Sequence, residues 1–165
     1  MTVIVVMGVA GSGKTTVGSS LARKLGVEYA EADAFHPKAN LEKMSSGIPL
    51  TDKDRWPWLH AIAHWIRAHQ GTGGVVSSSA LKRRYRDVLR RGGDVWFLHL
   101  HGPRGVIAER MQNRAGHFMP VSLLDSQLAD LEALEADELG LVVDIRATPD
   151  QIVTRALTTL TKEQP

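Results

Sequence analysis

The chain has 165 residues, 43% of them hydrophobic and 23% charged, which is the composition of one globular domain and excludes a disordered chain. Lys and Arg number 20 against 18 Asp and Glu, a net charge of +2, so the overall balance does not mark a polyanion-binding surface. Cysteine is absent, which removes disulfides, thiolate metal sites and thiol nucleophiles, and the opening MTVIVVMG has neither the basic start nor the length of a signal sequence or membrane span.

A soluble cytoplasmic protein of one domain, residues 1–165, is therefore the expectation. The uninterrupted β-branched run Val3 to Met7 predicts a strand buried on both faces of a parallel sheet. Val17, Leu21, Ala22 and Leu25 recur at helical spacing, and Gly26 closes that helix. VEYAEAD reads as a second strand, and PKANLEKMSSG as a short helix with Pro37 in its first turn. Leu59, Ile62, Ala63 and Ile66 mark a longer helix after TDKDRWPW, with Asp52 or Asp54 as its cap.

GGVVSSS predicts a third strand, followed by a helix that buries Leu81, Tyr85, Val88 and Leu89. The same stretch, LKRRYRDVLRR, carries six basic residues; with no stacking aromatics around them, they read as a solvated face rather than a nucleic-acid patch. DVWFLHL is a fourth strand, and Val106, Ile107 and Met111 seat the helix after it. Leu124, Leu128 and Leu131 mark another helix, LGLVVDI a fifth strand and PDQIVTRALTTL a closing helix. Strict alternation predicts a three-layer α/β/α fold around a central parallel five-stranded sheet, with the strand order left open.

The most specific segment is GVAGSGKTT, residues 8 to 16, between the first strand and the first helix. Gly8, Gly11, Gly13, Lys14 and Thr15 satisfy the Walker A pattern. Glycines let successive backbone N–H groups turn inward around phosphate, and the helix N-terminus adds its dipole. Lys14 is expected on the outer phosphates and Thr15 on Mg²⁺. No Asn-Lys-x-Asp guanine-reading motif occurs, and the third strand ends in serines where many ATPases place an aspartate. Those two absences leave a small kinase.

The acceptor has to be read from the rest. Asp33, expected at the carboxyl end of the second strand, is placed to orient an attacking hydroxyl, take its proton or hold a metal-bound water. His36, Asn40, Lys43 and Arg55 lie in the same stretch and suit a polyhydroxylated anion. Arg110 and Arg114 lie four apart and project from one side of a helix, just before RAGHFMP.

Five segments together resemble the small P-loop gluconate kinases, relatives of shikimate and adenylate kinases: GVAGSGKTT, EADAFHPKANLEKMSSGIPLTDKDRWPWL, SSALKRRYRDVLR, RAGHFMPVSLLDSQLADLE and LVVDI. The sequence departs from the family pattern at Ala32, where glycine is usual, and at Ser78, where cysteine is common. The resemblance implies transfer of the ATP γ-phosphoryl group to the 6-hydroxyl of D-gluconate, a helical lid over about residues 110–135, and a homodimer. It further implies Lys14, Asp33 and Arg110 as catalytic residues. Gly8, Gly11, Ser12, Gly13, Lys14, Thr15, Thr16, Arg110 and Arg114 are implied for the nucleotide, and Thr15 and Asp33 for Mg²⁺. Asp33, His36, Arg55, Ser79, Lys82 and His117 are implied for the sugar acid, with Arg55 or Lys82 on its carboxylate. The alternatives are a shikimate-like or nucleoside monophosphate kinase, or a nucleic-acid-binding ATPase using the basic helix; for the monophosphate kinase, SSSALKR stands where an Asp-Gly-x-Pro-Arg turn is expected. No membrane or nucleic-acid partner is expected.

Overall fold

The computed structural model describes residues 2–113 and 122–163. Five parallel strands, β1 (Val3–Met7), β2 (Glu28–Glu31), β3 (Gly74–Ser77), β4 (Val95–His101) and β5 (Gly140–Asp144), form one sheet in the order β2-β3-β1-β4-β5. β1 lies at its centre, with Val5 in register with Val76 on one side and Phe97 on the other. Every residue of β1 is buried. Successive side chains point to opposite faces of a strand, so Val3, Val5 and Met7 enter one apolar cluster and Ile4 and Val6 the other. That is why the run is apolar without alternation.

Helices α1 (Lys14–Leu25) and α7 (Pro149–Glu163) cover one face through Val17, Leu21, Ile152, Val153 and Ala156. The α5 (Arg104–Asn113) and α6 (Ser122–Asp130) helices add Ile107, Met111 and Leu124 to the same cluster. On the other face, α3 (Asp52–Ala68) and α4 (Arg83–Arg90) bury Trp58, Leu59, Ile62, Ile66, Tyr85, Val88 and Leu89. The short α2 (Lys38–Ser45) lies between β2 and α3 in sequence. The result is the three-layer α/β/α architecture expected from the strand–helix alternation. No helix among the described residues is long and apolar enough to cross a membrane.

Several boundaries differ from expectation, each for a visible reason. β2 stops at Glu31, paired with Ser77, because the Ala32 carbonyl accepts the indole N–H of Trp58 at 2.7 Å. The chain then turns through a 3₁₀ segment, Ala32–Phe35, so Asp33 lies just past the strand rather than on it. α3 begins before the expected apolar stripe: Thr51 caps it, its hydroxyl accepting Asp54 N–H at 3.2 Å while the Asp54 carboxylate accepts Thr51 N–H at 2.9 Å. α4 starts at Arg83 with Lys82 as its N-cap, so Leu81 is buried from the preceding loop.

The basic residues of α4 are mostly paired rather than solvated. Arg86 is fully buried, and its guanidinium grips the buried Glu138 at 2.8 and 3.0 Å. Arg90 pairs with the same carboxylate, Arg83 with Asp87, Glu135 and Asp137, and Arg84 with Asp52 at 2.6 Å. A helix face whose cations are matched by local carboxylates is a poor phosphate-backbone surface.

Candidate active site

β1 and β3 are neighbours, but the helix after β1 covers one face and the helix after β3 the other. Their connections part at the carboxyl edge of the sheet, where open parallel sheets form a ligand crevice. A cavity of about 340 Å³ opens there, at the lower end of the range for small-molecule sites, about 300–1,000 Å³.

One wall is the loop between β1 and α1. Gly8 has φ 151°, and a Cβ there would lie 2.7 Å from both the Leu100 carbonyl oxygen and Ser12 Oγ. Gly13 has φ 95° and caps α1 from the left-handed region. Only glycine fits the first site, and only glycine is unstrained at the second. The Lys14 ammonium donates to the carbonyls of Gly8 and Val9 at 2.9 and 3.1 Å, so it folds over the loop it is to serve. Ser12 Oγ is buried without a protein partner among the described residues. A loop with inward-turned glycines, a cation over it and an unsatisfied hydroxyl in it fits the oxygens of a polyphosphate.

The facing wall comes from β2, the 3₁₀ turn and α3. Asp33 is exposed to the cavity, and Glu31 lines it as well. Tyr29 hydroxyl lies 3.2 Å from Glu31 Oε1 and 3.1 Å from Ser77 Oγ. A phenol has one proton and a carboxylate none, so Tyr29 donates to Glu31 and accepts from Ser77. Burial, together with the Glu31 charge, holds the phenol up at about 12, so this arrangement persists at neutral pH.

His36 is buried against Trp58, ring centroids 4.2 Å apart and nearly parallel. Burial, then the Arg55 charge, pushes its pKa down to about 4. The imidazole is therefore neutral, and Asn40 Nδ2 lies 3.2 Å from His36 Nδ1. Since the amide nitrogen only donates, Nδ1 accepts and the ring proton sits on Nε2. Arg55 also lines the cavity; its Nη1 donates to Tyr85 Oη at 2.7 Å, and Tyr85 in turn donates to Asp52. This chain of bonds fixes the guanidinium from behind.

The loop after β3 brings Ser77, Ser79 and Leu81 to the cavity, and α6 brings Leu123, Ser126 and Gln127. Lys82, expected on the substrate, is not among the lining residues; its ammonium lies 3.8 Å from Asp130, which also faces Arg55 at 3.9 Å. Asn40 and Lys43, expected to meet a polyol, serve the scaffold instead: Asn40 donates to the Asp54 carbonyl at 2.8 Å, and Lys43 pairs with the Asp54 carboxylate at 2.9 Å.

A second cavity, about 260 Å³, lies on the other side of the phosphate loop between Gly11, Ser12, Gly13, Thr16 and Val17 and the segment after β5. Arg110 borders it and is held by the Ile145 carbonyl at 2.7 Å. Asp144 is turned to Arg146, whose guanidinium, first by side-chain hydrogen bonding, keeps the carboxyl low at about 2. Arg114 and His117 lie outside the described residues.

Glu31, Ser126 and Gln127 escaped the sequence reading. Glu31 was legible as the residue two before Asp33 at a strand end; the two α6 residues had no signal beyond polarity on a helix.

The family model for shikimate kinase matches residues 10–160. The chain is 51% identical to a gluconokinase of Gluconobacter oxydans over 154 residues, 91% of this chain and 86% of that one. Its fold superposes on a gluconokinase of Sinorhizobium meliloti with a TM-score of 0.89 and 49% identity, covering 98% of this chain and 92% of the other. A sugar kinase from a Janibacter species, in an unliganded structure, gives a TM-score of 0.93 and 56% identity over 98% and 95% of the two chains. With the glycine loop and the facing polar wall in place, the chain belongs to the gluconokinase family, within the shikimate kinase group of P-loop kinases.

Proposed function

We infer that this chain is a gluconokinase, moving the γ-phosphoryl group of ATP to the 6-hydroxyl of D-gluconate to give 6-phosphogluconate and ADP. The observation that carries this reading is one continuous cavity with Lys14 and Thr15 on one wall and Asp33, His36 and Arg55 on the other. The names of its relatives support the same substrate. Arg55 takes the gluconate carboxylate, because it is the cation of the pair Arg55 and Lys82 that lines the cavity. Neutral His36 donates from Nε2 to an acceptor oxygen and adds direction without charge.

Asp33 receives the proton as the hydroxyl oxygen attacks phosphorus, while the bond to the ADP oxygen breaks and that oxygen leaves with the electron pair. Lys14 neutralises charge on the phosphate oxygens. The hard oxygens of Thr15, Glu31 and Asp33 suit Mg²⁺. Held by those residues, the ion would supply positive charge to offset that of the phosphate oxygens. The second cavity takes the nucleoside, with Arg110 at its border. The lid expected over about residues 110–135 excludes water from the transfer.

A homodimer and a cytoplasmic location belong to the same proposal, and the paired cations of α4 support the exclusion of nucleic acid. An ADP-release assay offered gluconate, shikimate and AMP in parallel tests the reading. Release with gluconate alone is expected; release with either of the others and not gluconate overturns it.

A further inference from the structure

The direction of the Glu31 carboxylate is set from behind the cavity wall. On β2, Tyr29 and Glu31 alternate with Ala30 and so point to the same face of the sheet. On β3, Val75 is in register with Tyr29 and Ser77 with Glu31, and parallel partners share a face. It is the face covered by α1, because Tyr29 packs against the apolar cluster that holds Val75, Val17 and Leu21. Strand pairing alone therefore gathers the Tyr29 hydroxyl, the Glu31 carboxylate and the Ser77 hydroxyl.

The phenol is held by its ring. Gly18 of α1 lies against it: a Cβ there would come 2.6 Å from Tyr29 Cε1, so the ring fills the space a side chain would need. Its proton goes to Glu31 Oε1 at 3.2 Å, while the Ser77 hydroxyl donates to it at 3.1 Å. Thr15, at the start of α1, comes close to the same oxygen. Thr15, Glu31 and Ser77 line the cavity, and Tyr29 is not among the lining residues. A carboxylate with one oxygen tied has already lost part of its freedom, so less is lost when it meets a cation.

We propose that Tyr29 is a positioning residue for the divalent cation, its hydroxyl fixing the Glu31 carboxylate in the orientation that serves the ion. The proposal rests on the reading above that Thr15, Glu31 and Asp33 suit Mg²⁺. Tyr29 touches neither nucleotide nor sugar acid in this role; it acts through Glu31.

Tyr29→Phe isolates the hydroxyl, because the ring beside Gly18 stays. The probe is Mn²⁺, titrated into ADP held by an excess of protein and followed by loss of the free-ion EPR signal. Tyr29→Phe should raise the Mn²⁺ dissociation constant about 10- to 100-fold. ADP affinity measured in EDTA should stay within about threefold of wild type, since the hydroxyl acts on the carboxylate and not on the nucleotide. In a Glu31→Gln background the same substitution should change the Mn²⁺ constant by less than about threefold, because the carboxylate it positions is gone.

A Tyr29→Phe protein whose Mn²⁺ constant moves by less than about threefold overturns the proposal. So does an equal loss of ADP affinity in EDTA, which marks a disturbed glycine loop, and so does a full Tyr29→Phe effect in the Glu31→Gln background. Wild type keeps the claims apart. If it makes no sugar phosphate, the acceptor assignment goes and the Mn²⁺ comparison stands; if it adds nothing to Mn²⁺ binding by ADP alone, the ion site goes and Tyr29's role with it.

Discussion

Arg55 and His36 stand side by side on one wall, yet their chemistry differs because their surroundings differ. Arg55 is wired through Tyr85 to Asp52 and remains a cation; His36 is buried on Trp58, held by Asn40, and remains neutral. Removing a charge-assisted contact to a carboxylate costs about 1.5–3 kcal/mol, so Arg55→Ala should raise the KM for gluconate about 10- to 100-fold with the KM for ATP unchanged. Lys82→Ala, off the cavity, should move the gluconate KM far less. Equal effects of the two in steady-state kinetics would put the carboxylate between them. Both cations were legible in the sequence; that Arg55 lines the cavity and Lys82 does not was not, because it depends on how α3 and the turn before α4 pack against each other.

His36 and His99 also set an acid limit. Burial first, then nearby positive charge, lowers both from 6.5 to about 4. Between those values the unfolded chain takes up protons that the folded chain refuses. Stability from these groups is therefore present above pH 6.5 and lost as pH falls through about 4. Urea unfolding should show a falling midpoint across that window. Neither ring nitrogen of His99 has a partner among the described residues, so His99→Leu should flatten the slope without lowering stability at neutral pH. A midpoint independent of pH in that range contradicts this account.

At the scale of elements, α4 shows what composition conceals. Its apolar stripe predicts the buried face, but no local pattern announces that Arg86 is buried with it. The partner, Glu138, is 52 residues away, and Arg86 also donates to the carbonyls of Ala80, Leu81 and Ala133. Arg86→Leu leaves Glu138 buried without its main counter-ion and should cost about 3–5 kcal/mol in denaturant unfolding, less when combined with Glu138→Leu. A double variant no better than the single one contradicts a coupled pair. The early start of α3 has a similar origin: Thr51 and Asp54 spell a capping box, but the Pro57 inside the helix and the polar stretch before the apolar stripe masked it. Strand positions fared better, since a centre strand buried on both faces leaves a plain apolar run.

For the whole molecule, the sheet order matters more than any single element. It could not be read from periodicity, yet it sets β1 beside β3 and sends their helices to opposite faces. That division opens the crevice and places the glycine loop, the 3₁₀ turn carrying Asp33 and α6 around one cavity. If α6 and its neighbours close over two bound substrates, small-angle scattering should show a smaller radius of gyration with gluconate and a non-hydrolysable ATP analogue together than with either alone. Identical profiles in all states would remove the lid.

The central claim is that Asp33 and the phosphate loop face each other across a bound sugar acid. Phosphorus NMR of the protein with ATP, Mg²⁺ and gluconate tests it most directly, run for wild type and Asp33→Asn. The account predicts a sugar phosphomonoester signal from wild type, and a rate lower by about 100- to 10,000-fold from Asp33→Asn with ATP affinity intact. Inorganic phosphate as the only product, or near-normal turnover by Asp33→Asn, would contradict it.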